Sequence, residues 1–464
     1  MMTIIGVLMT ECLYHMQLQQ ATGFILQKLL LEYNQYEGRN DYGYNENHTA
    51  AITSITSDSE PSLLSLQTGS NTINFGNVTN LTDNQHDSVY GQVDASSENY
   101  LHLVWQDSVP GNNVRNYDIF YTKSSDAGTT FGKEINLSDN NGFSEHPQLA
   151  TSGDNVYVIW ADNSLSANRD IFLARSEDGG STFIDPLNLS DNTGDSYNQE
   201  LFVFEDDVYV TWLDEENLDD NESANSSILI KSSKDGGATF DRTLDIGNDI
   251  ANANSFPKVA AYNNQVYVVW NVEEEEKSRE GLKEIDDRNN NTGLYFVKSS
   301  NRAAGFGESI RLNQHDQEFG EAQIATSGQH VYIVWGGSHL NQVNNLFFTK
   351  SINNGDTFSD PIAITDKNDN NPSNVEISLD KAGNNSNVYI AWQSLISTAG
   401  QINREEILFK MSSDSGVTFG ETVNLSKNHD ISECPSLTIY EDKIYVAWED
   451  LSPGNHEILF TRNI

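Results

Sequence analysis

Basic residues are scarce in this chain. Its 464 residues carry 26 Lys plus Arg against 68 Asp plus Glu, a formal net charge of -42. Such a surface repels phosphates and argues against nucleic acid as a partner. Cysteine is nearly absent, and Cys12 and Cys434 lie too far apart in sequence to suggest a disulfide framework. Proline is sparse at 9 residues. Helical heptads are missing, and no apolar run reaches the ~18 residues of a spanning helix. What remains is a polar chain with a mean hydropathy of -0.52 and 32 glycines, the profile of a turn-rich β protein. The acidic excess has a bland reading, solubility, and a sharper one, divalent cations held where carboxylates converge.

The chain divides into three parts. Residues 1–35 open with MMTIIGVLM. No Lys or Arg precedes that stretch, and Glu11 and His15 interrupt it, so it reads as a poor signal peptide, an anchor remnant or a misassigned start. Membrane contact is expected only if it is an anchor. Residues 36–72 are rich in Asn, Ser, Thr and Gly and read as a polar flexible linker. Residues 73–464 hold a repeat.

All seven tryptophans fall in one short β-branched and aromatic run, as in LHLVW ending at Trp105 and VYVIW at Trp160. The others are Trp212, Trp270, Trp335, Trp392 and Trp448, at intervals of 55, 52, 58, 65, 57 and 56 residues. A short run such as PQLATS (147–152) precedes each one and defines a strand A; the tryptophan run is strand B. A variable loop then leads to strand C, such as DIFLAR (170–175), and a tight turn to strand D, such as DPLNLS (185–190). Four strands at this spacing are the signature of a propeller blade. The seventh module stops after strand C, and its missing strand D has a copy at 75–82, where FGNVTNLT matches FGKEINLS at 131–138. The expectation is an all-β, seven-bladed propeller of four-stranded antiparallel blades, closed by an N-terminal strand that completes the last blade. Six blades is the rival count.

The C–D turns carry the most specific motif: SSDAGTTF (124–131), SEDGGSTF (176–183), SKDGGATF (233–240) and SSDSGVTF (412–419). SSNRAAGF (299–306) and SINNGDTF (351–358) are degenerate, with Asn301 and Asn353 in the Asp position. The sequence resembles the Asp-box (BNR) repeat proteins of the sialidase-like β-propeller superfamily over roughly 73–464. A short acid can accept backbone N–H bonds within a turn, glycine supplies positive φ, and the aromatic is expected to fold back over the turn. The resemblance implies a structural role, away from any active site, for Asp126, Asp178, Asp235 and Asp414. A basic residue also closes each strand C, from Lys123 and Arg175 to Arg462. A repeated position suggests scaffold.

Up-and-down connectivity puts the D–A and B–C loops on one face, the expected functional face. Asp107, Asp162, Asp214 and Asp450 each stand two residues after a tryptophan and are candidate metal ligands there, with Ca²⁺ the candidate cofactor. Glu145, Glu200, Glu321, Glu376 and Glu433 cluster near the start of strand A. The charged insertion at 271–293 reads as a flap.

The resemblance raises a sialidase-type reaction, which needs three arginines around a sugar carboxylate and a tyrosine nucleophile with its Glu. The family's Arg-Ile-Pro motif is missing. Arg115, Arg169 and Arg404 precede strand C in blades 1, 2 and 6 but are followed at once by acids. Tyr197 with Glu200 is the best nucleophile-like pair, though a tyrosine near a strand end commonly packs. The leading expectation is a secreted or cell-surface, monomeric, non-catalytic recognition module for carbohydrate or an extracellular protein. A diverged exo-sialidase-type glycoside hydrolase and a structural envelope component are the alternatives. Sequons at Asn80, Asn136, Asn188 and Asn424 fit an extracellular site, but the Asn-rich repeat also accounts for them.

Overall fold

A computed structural model describes residues 64–68, 71–109, 116–216, 225–247, 255–272, 293–312, 317–339, 344–366, 369–380, 386–396 and 404–464. One compact unit spans Leu64–Ile464. The expected segment 1–35, most of the linker and most of the 271–293 insertion lie outside the described residues.

The described chain forms seven four-stranded antiparallel sheets and one two-stranded sheet. Blade 2 shows the pattern: Ser144–Ser152, Asn155–Asp162, Asp170–Ser176 and Ile184–Asn188 serve as strands A to D. Each strand A touches the strand A of the next blade, and that of blade 7 (Ser432–Tyr440) touches that of blade 1 (Ser88–Ala95). The innermost strands therefore form a closed ring of seven. The fourth strand of the last sheet is Thr79–Asn80, which pairs with Phe460 and Leu459 of Glu457–Arg462. The end of the presumed linker is not plain coil. Leu64–Thr68 pairs with Asn71–Phe75 as a hairpin, and Phe75 is buried edge-on against Phe409 with ring centroids 5.2 Å apart.

All seven tryptophans are fully buried between blades. Burying side chains of this size is worth roughly 2–3 kcal/mol apiece and dominates the packing. Several stack on the strand C aromatic opposite them, as Trp160 does on Phe172 and Trp335 on Phe347.

The Ser-x-Asp turns show why those residues recur. In the turn of blade 2, Ser176 Oγ donates to Asp178 Oδ1 at 2.7 Å, and Gly180 N–H donates back to Ser176 Oγ at 2.9 Å. Thr182 gives its N–H to Oδ1 and its hydroxyl to Oδ2, at 2.8 and 2.7 Å. Asp126, Asp235 and Asp414 repeat this pattern. The threonine bonds hold Asp126 and Asp235 at about 2 and keep Asp178 well below the usual carboxylate range. Asp414 also sits at about 2; burial opposes this, but the bonds from Thr418 outweigh it. Asn353 keeps the geometry with one bond reversed, its Nδ2 donating to Thr357 Oγ1 at 2.9 Å. Asn301 keeps the bonds to Ser299 and Gly305.

Two further features tie these turns to the neighbouring blade. The turn aromatic does not fold over its own turn. Phe183 packs edge-on against Tyr121 of blade 1, Phe358 against Phe296 of blade 4 and Phe419 against Phe348 of blade 5, at 4.8, 5.0 and 5.0 Å. The strand C base of one blade also donates to the fourth-position carbonyl of the next blade's turn: Lys123 to Gly179, Arg175 to Gly236, Lys298 to Asn354 and Lys350 to Ser415. Lys231 and Lys410 turn back instead, to Leu189 and Ile364. Blade 4 has the degenerate turn at 299–306, and blade 7 has no C–D turn.

Candidate functional site

Strand A carries the inner end of the loop-rich face, and bulges aim its side chains. The A–B register slips between Val89 and Gln92, Glu145 and Gln148, Tyr197 and Glu200, and Glu433 and Ser436. Within these slips Tyr90, His146, Asn198 and Cys434 adopt φ of 54°, 53°, 53° and 49°. Such bulges re-aim side chains. The preceding blade holds some of them in place: Gln106 Oε1 accepts the N–H of His146 at 2.8 Å, and Glu449 Oε1 that of Tyr90 at 2.6 Å.

The bulge in blade 3 separates the expected pair of Tyr197 and Glu200. Tyr197 is hydrogen bonded to Glu215, at the end of strand B, while Glu200 turns to Lys258 of blade 4, with Nζ and Oε2 3.0 Å apart. Arg169 lies over the Tyr197 ring, 4.4 Å from its centroid. Its Nε and Nη2 bond Asp195 at 2.9 and 2.5 Å, and Glu145 stands 4.0 Å from Nη1. Burial, then the charge of Glu215, pushes the Tyr197 phenol far above its ordinary value. Burial also raises Glu145 and Glu215. One of the three flagged arginines is thus committed to carboxylates. Arg404 opens strand C of blade 6, paired with Ile396, and Arg115 lies outside the described residues.

Along the innermost strands a second polar chain crosses the junctions. Glu200, Lys258, Gln323 and Glu376 pair in register with the residues just before Trp212, Trp270, Trp335 and Trp392. Gln323 Nε2 donates to Glu376 Oε1 at 2.9 Å. Burial pushes Glu376 up to about 8. Burial opposes the charge of Lys258, but Glu200, Glu321 and Glu376 outweigh it and hold the amine above its ordinary value, so it keeps its charge. It serves as their counterion.

The four candidate metal ligands are wrapped in donors. Asp107 Oδ2 accepts from Asn84 Nδ2, Ser88 Oγ and Trp105 Nε1 at 2.9, 2.9 and 3.1 Å. Asp162 does so from Asn140, Ser144 and Trp160, and Asp450 from Asn428, Ser432 and Trp448. Asp214 accepts from Asn192 and Ser196. A Ca²⁺ shell consists of oxygen acceptors, so these acids are built as latches between the D–A loop and strand B. Among the described residues no group of three or more His, Cys, Asp or Glu is placed to hold a metal ion. The latch had a sequence signal: an Asn-x-x-x-Ser precedes strand A in blades 1, 2, 3 and 7, the same blades that carry the aspartate.

The strand D sequons have a structural use as well. The Oδ1 atoms of Asn80, Asn136, Asn188 and Asn424 accept the N–H three residues on. Asn136 and Asn188 also give Nδ2, the atom a glycan would need, to Asp118 and Asp170 at 2.7 and 3.0 Å.

No family model matches the chain, and no curated protein does. Solved structures do. A protein of unknown function from Dyadobacter fermentans is similar at a TM-score of 0.51 and 12% identity, over 84% of this chain and 99% of that one. An alpha-L-arabinofuranosidase from Fusarium graminearum gives 0.47 and 11%, over 84% and 98%. A Hadza microbial sialidase gives 0.44 and 12%, over 75% and 73%. At these identities the likeness is one of fold. The chain is a seven-bladed β-propeller, an architecture with sialidases and other propeller proteins among its structural neighbours.

Proposed function

We propose that this chain is an Asp-box propeller displayed outside the cell as a non-catalytic recognition module, taking a neutral, hydroxyl-rich glycan or a protein that carries one on its loop-rich face. One observation carries the reading: the Arg169 guanidinium is already bound by Asp195 and Glu145. A sugar carboxylate must be desolvated on binding and needs free paired donors to offset that cost. Tyr197 is 2% exposed, and its environment opposes the phenolate a nucleophile requires. The abundant carboxylates and amides around the face suit hydroxyl groups.

The hydrolase reading has one observation in its favour. Tyr197 bonded to Glu215 beside Arg169 is the pairing that a tyrosine-nucleophile glycosidase uses. A glycan array that includes both neutral and sialylated ligands separates the two. Retention on neutral glycans supports recognition, and selective retention on sialosides contradicts it. Cell fractionation tests the location, and recovery only from cytoplasm contradicts it.

A further inference from the structure

Two positions recur at the blade junctions of the loop-rich face, and hydrogen bonds fix their equivalence. The first follows the buried serine of strand A that bonds the strand B aspartate, as Ser196 bonds Asp214 and Ser432 bonds Asp450. The second stands two residues before a strand C isoleucine whose N–H reaches a serine beyond strand D, as Ile171 reaches Ser190 and Ile407 reaches Ser426. Between blades 2 and 3 these positions hold Tyr197 and Arg169, a cation over a ring. Between blades 6 and 7 they hold Glu433 and Glu405, two acids that are 4% and 7% exposed. The repeat sets them against each other across the junction, and Gln393 touches both segments, its Oε1 accepting from Cys434 N–H and its Nε2 reaching Glu405.

The blade 7 bulge enforces the meeting. Cys434 N–H donates to Gln393 Oε1 of blade 6 at 2.8 Å, which holds Glu433 at the junction. Directly opposite Glu433 in the ladder stands Glu449, itself buried. Among the described residues, the one basic group within ion-pair range of the three is His456, 3.9 Å from Glu449. The other acids nearby are engaged: Glu406 accepts from Ser426 at 2.5 Å, Asp450 accepts from Ser432 and Asn428, and Glu457 accepts from Asn84 and Asn455. Gln393 Nε2 lies 3.5 Å from Glu405, and Tyr90 N–H bonds Glu449. Arg404 precedes Glu405 on the same strand, with no ion pair to these acids.

Two carboxylates have no proton to donate to one another. A hydrogen bond between them requires that one be an acid. We propose that Glu405 and Glu433 share a single proton and form a latch between blades 6 and 7 that opens as the medium turns alkaline. Loss of that proton to solvent leaves adjacent buried carboxylates, whose repulsion acts across the junction. Burial first, then Glu405, holds Glu433 far above its ordinary 4.5, and burial lifts Glu449 to about 7. A raised acid contributes stability in full below the unfolded value of 4.5 and loses it as pH rises through the folded value.

The test uses the full chain, its Glu433→Gln, Glu405→Gln and Glu449→Gln variants, thermal melting from mildly acidic to alkaline pH, and infrared difference spectra. The wild type is expected to lose melting temperature as pH rises and to show a protonated-carboxyl band at neutral pH. Glu433→Gln keeps a donor, so it should take one carboxyl out of that band and flatten the alkaline fall, whereas Glu449→Gln should remove only the step near 7. If Glu433→Gln does not fold, Glu405→Gln reports the same two readouts. An unchanged melting profile, or a difference spectrum with no protonated carboxyl lost, overturns the proposal.

Discussion

Arg462 of the final strand donates to the backbone carbonyl of Ala127, in the first blade's turn. The same residue gives Nη2 to Thr129 Oγ1 at 3.1 Å. This is the strand C staple of blades 1, 2, 4 and 5 carried across the seam of the ring, where strands from the two ends of the chain meet in one blade. A charged donor on a carbonyl is worth roughly 1.5–3 kcal/mol when buried and less at this half-buried site, where solvent screens it. Arg462→Met should therefore cost about 1–2 kcal/mol and make the chain prone to aggregate through an opened edge. Chemical denaturation with light scattering checks this; a change of only a few tenths of a kcal/mol contradicts it.

Two glycines separate backbone strain from crowding. Gly180 and Gly153 have φ of +71° and +59°, but a Cβ on Gly180 would lie 1.7 Å from the Tyr121 hydroxyl while one on Gly153 meets nothing within 4 Å. Gly153→Ala should cost only the left-handed penalty of about 1–2 kcal/mol. Gly180→Ala should cost more, since Tyr121 must move from its contact with Phe183. Comparison of the two unfolding free energies decides it; equal losses contradict the steric part.

The blades were legible because a tryptophan marks each one and the turn motif recurs in phase. The pairings at the site were not, since they depend on bulges. Tyr197 and Glu200 are close in sequence, yet the slip at Asn198 sends Glu200 to Lys258 and leaves Tyr197 with Glu215. The aspartates after tryptophan looked like cation ligands because their donors, such as Asn84 and Ser88, lie about a strand and a loop upstream. The reach of Lys350 to Ser415 belongs to no single repeat, so reading one repeat at a time does not reveal it.

His102 occupies a position that is tyrosine in the other blades, Tyr157 and Tyr445 among them. Its ring bonds Tyr121 Oη and Ser96 Oγ at 2.7 and 2.8 Å. Burial, with help from Lys123, lowers it to about 4. The unfolded chain takes that proton near 6.5, so stability should fall as pH drops from 6.5 toward 4. His102→Tyr should flatten this part of the melting profile. An identical acid limb in the variant contradicts the assignment.

The turn carboxylates govern a lower range. Asp126 and Asp235 are held at about 2 by their threonines, so their contribution persists above the ordinary 3.8 and disappears as pH falls toward 2. Asn353 makes the corresponding bonds without a titrating group. Asp178→Asn should accordingly keep the fold at neutral pH and reduce acid sensitivity, while Asp178→Ala should lower the melting temperature at both pH values. Melting at neutral and acid pH distinguishes them; equal losses for Asn and Ala contradict the hydrogen-bond account of the turn.

Hydrolysis of a fluorogenic sialoside by the full chain, followed across acid to neutral pH, is the most direct test of recognition without catalysis. With Arg169 bound by Asp195 and Tyr197 buried against Glu215, the expected rate equals that of the no-enzyme control and is unchanged in Tyr197→Phe and Arg169→Ala. Turnover above that control, abolished by either substitution, would contradict it.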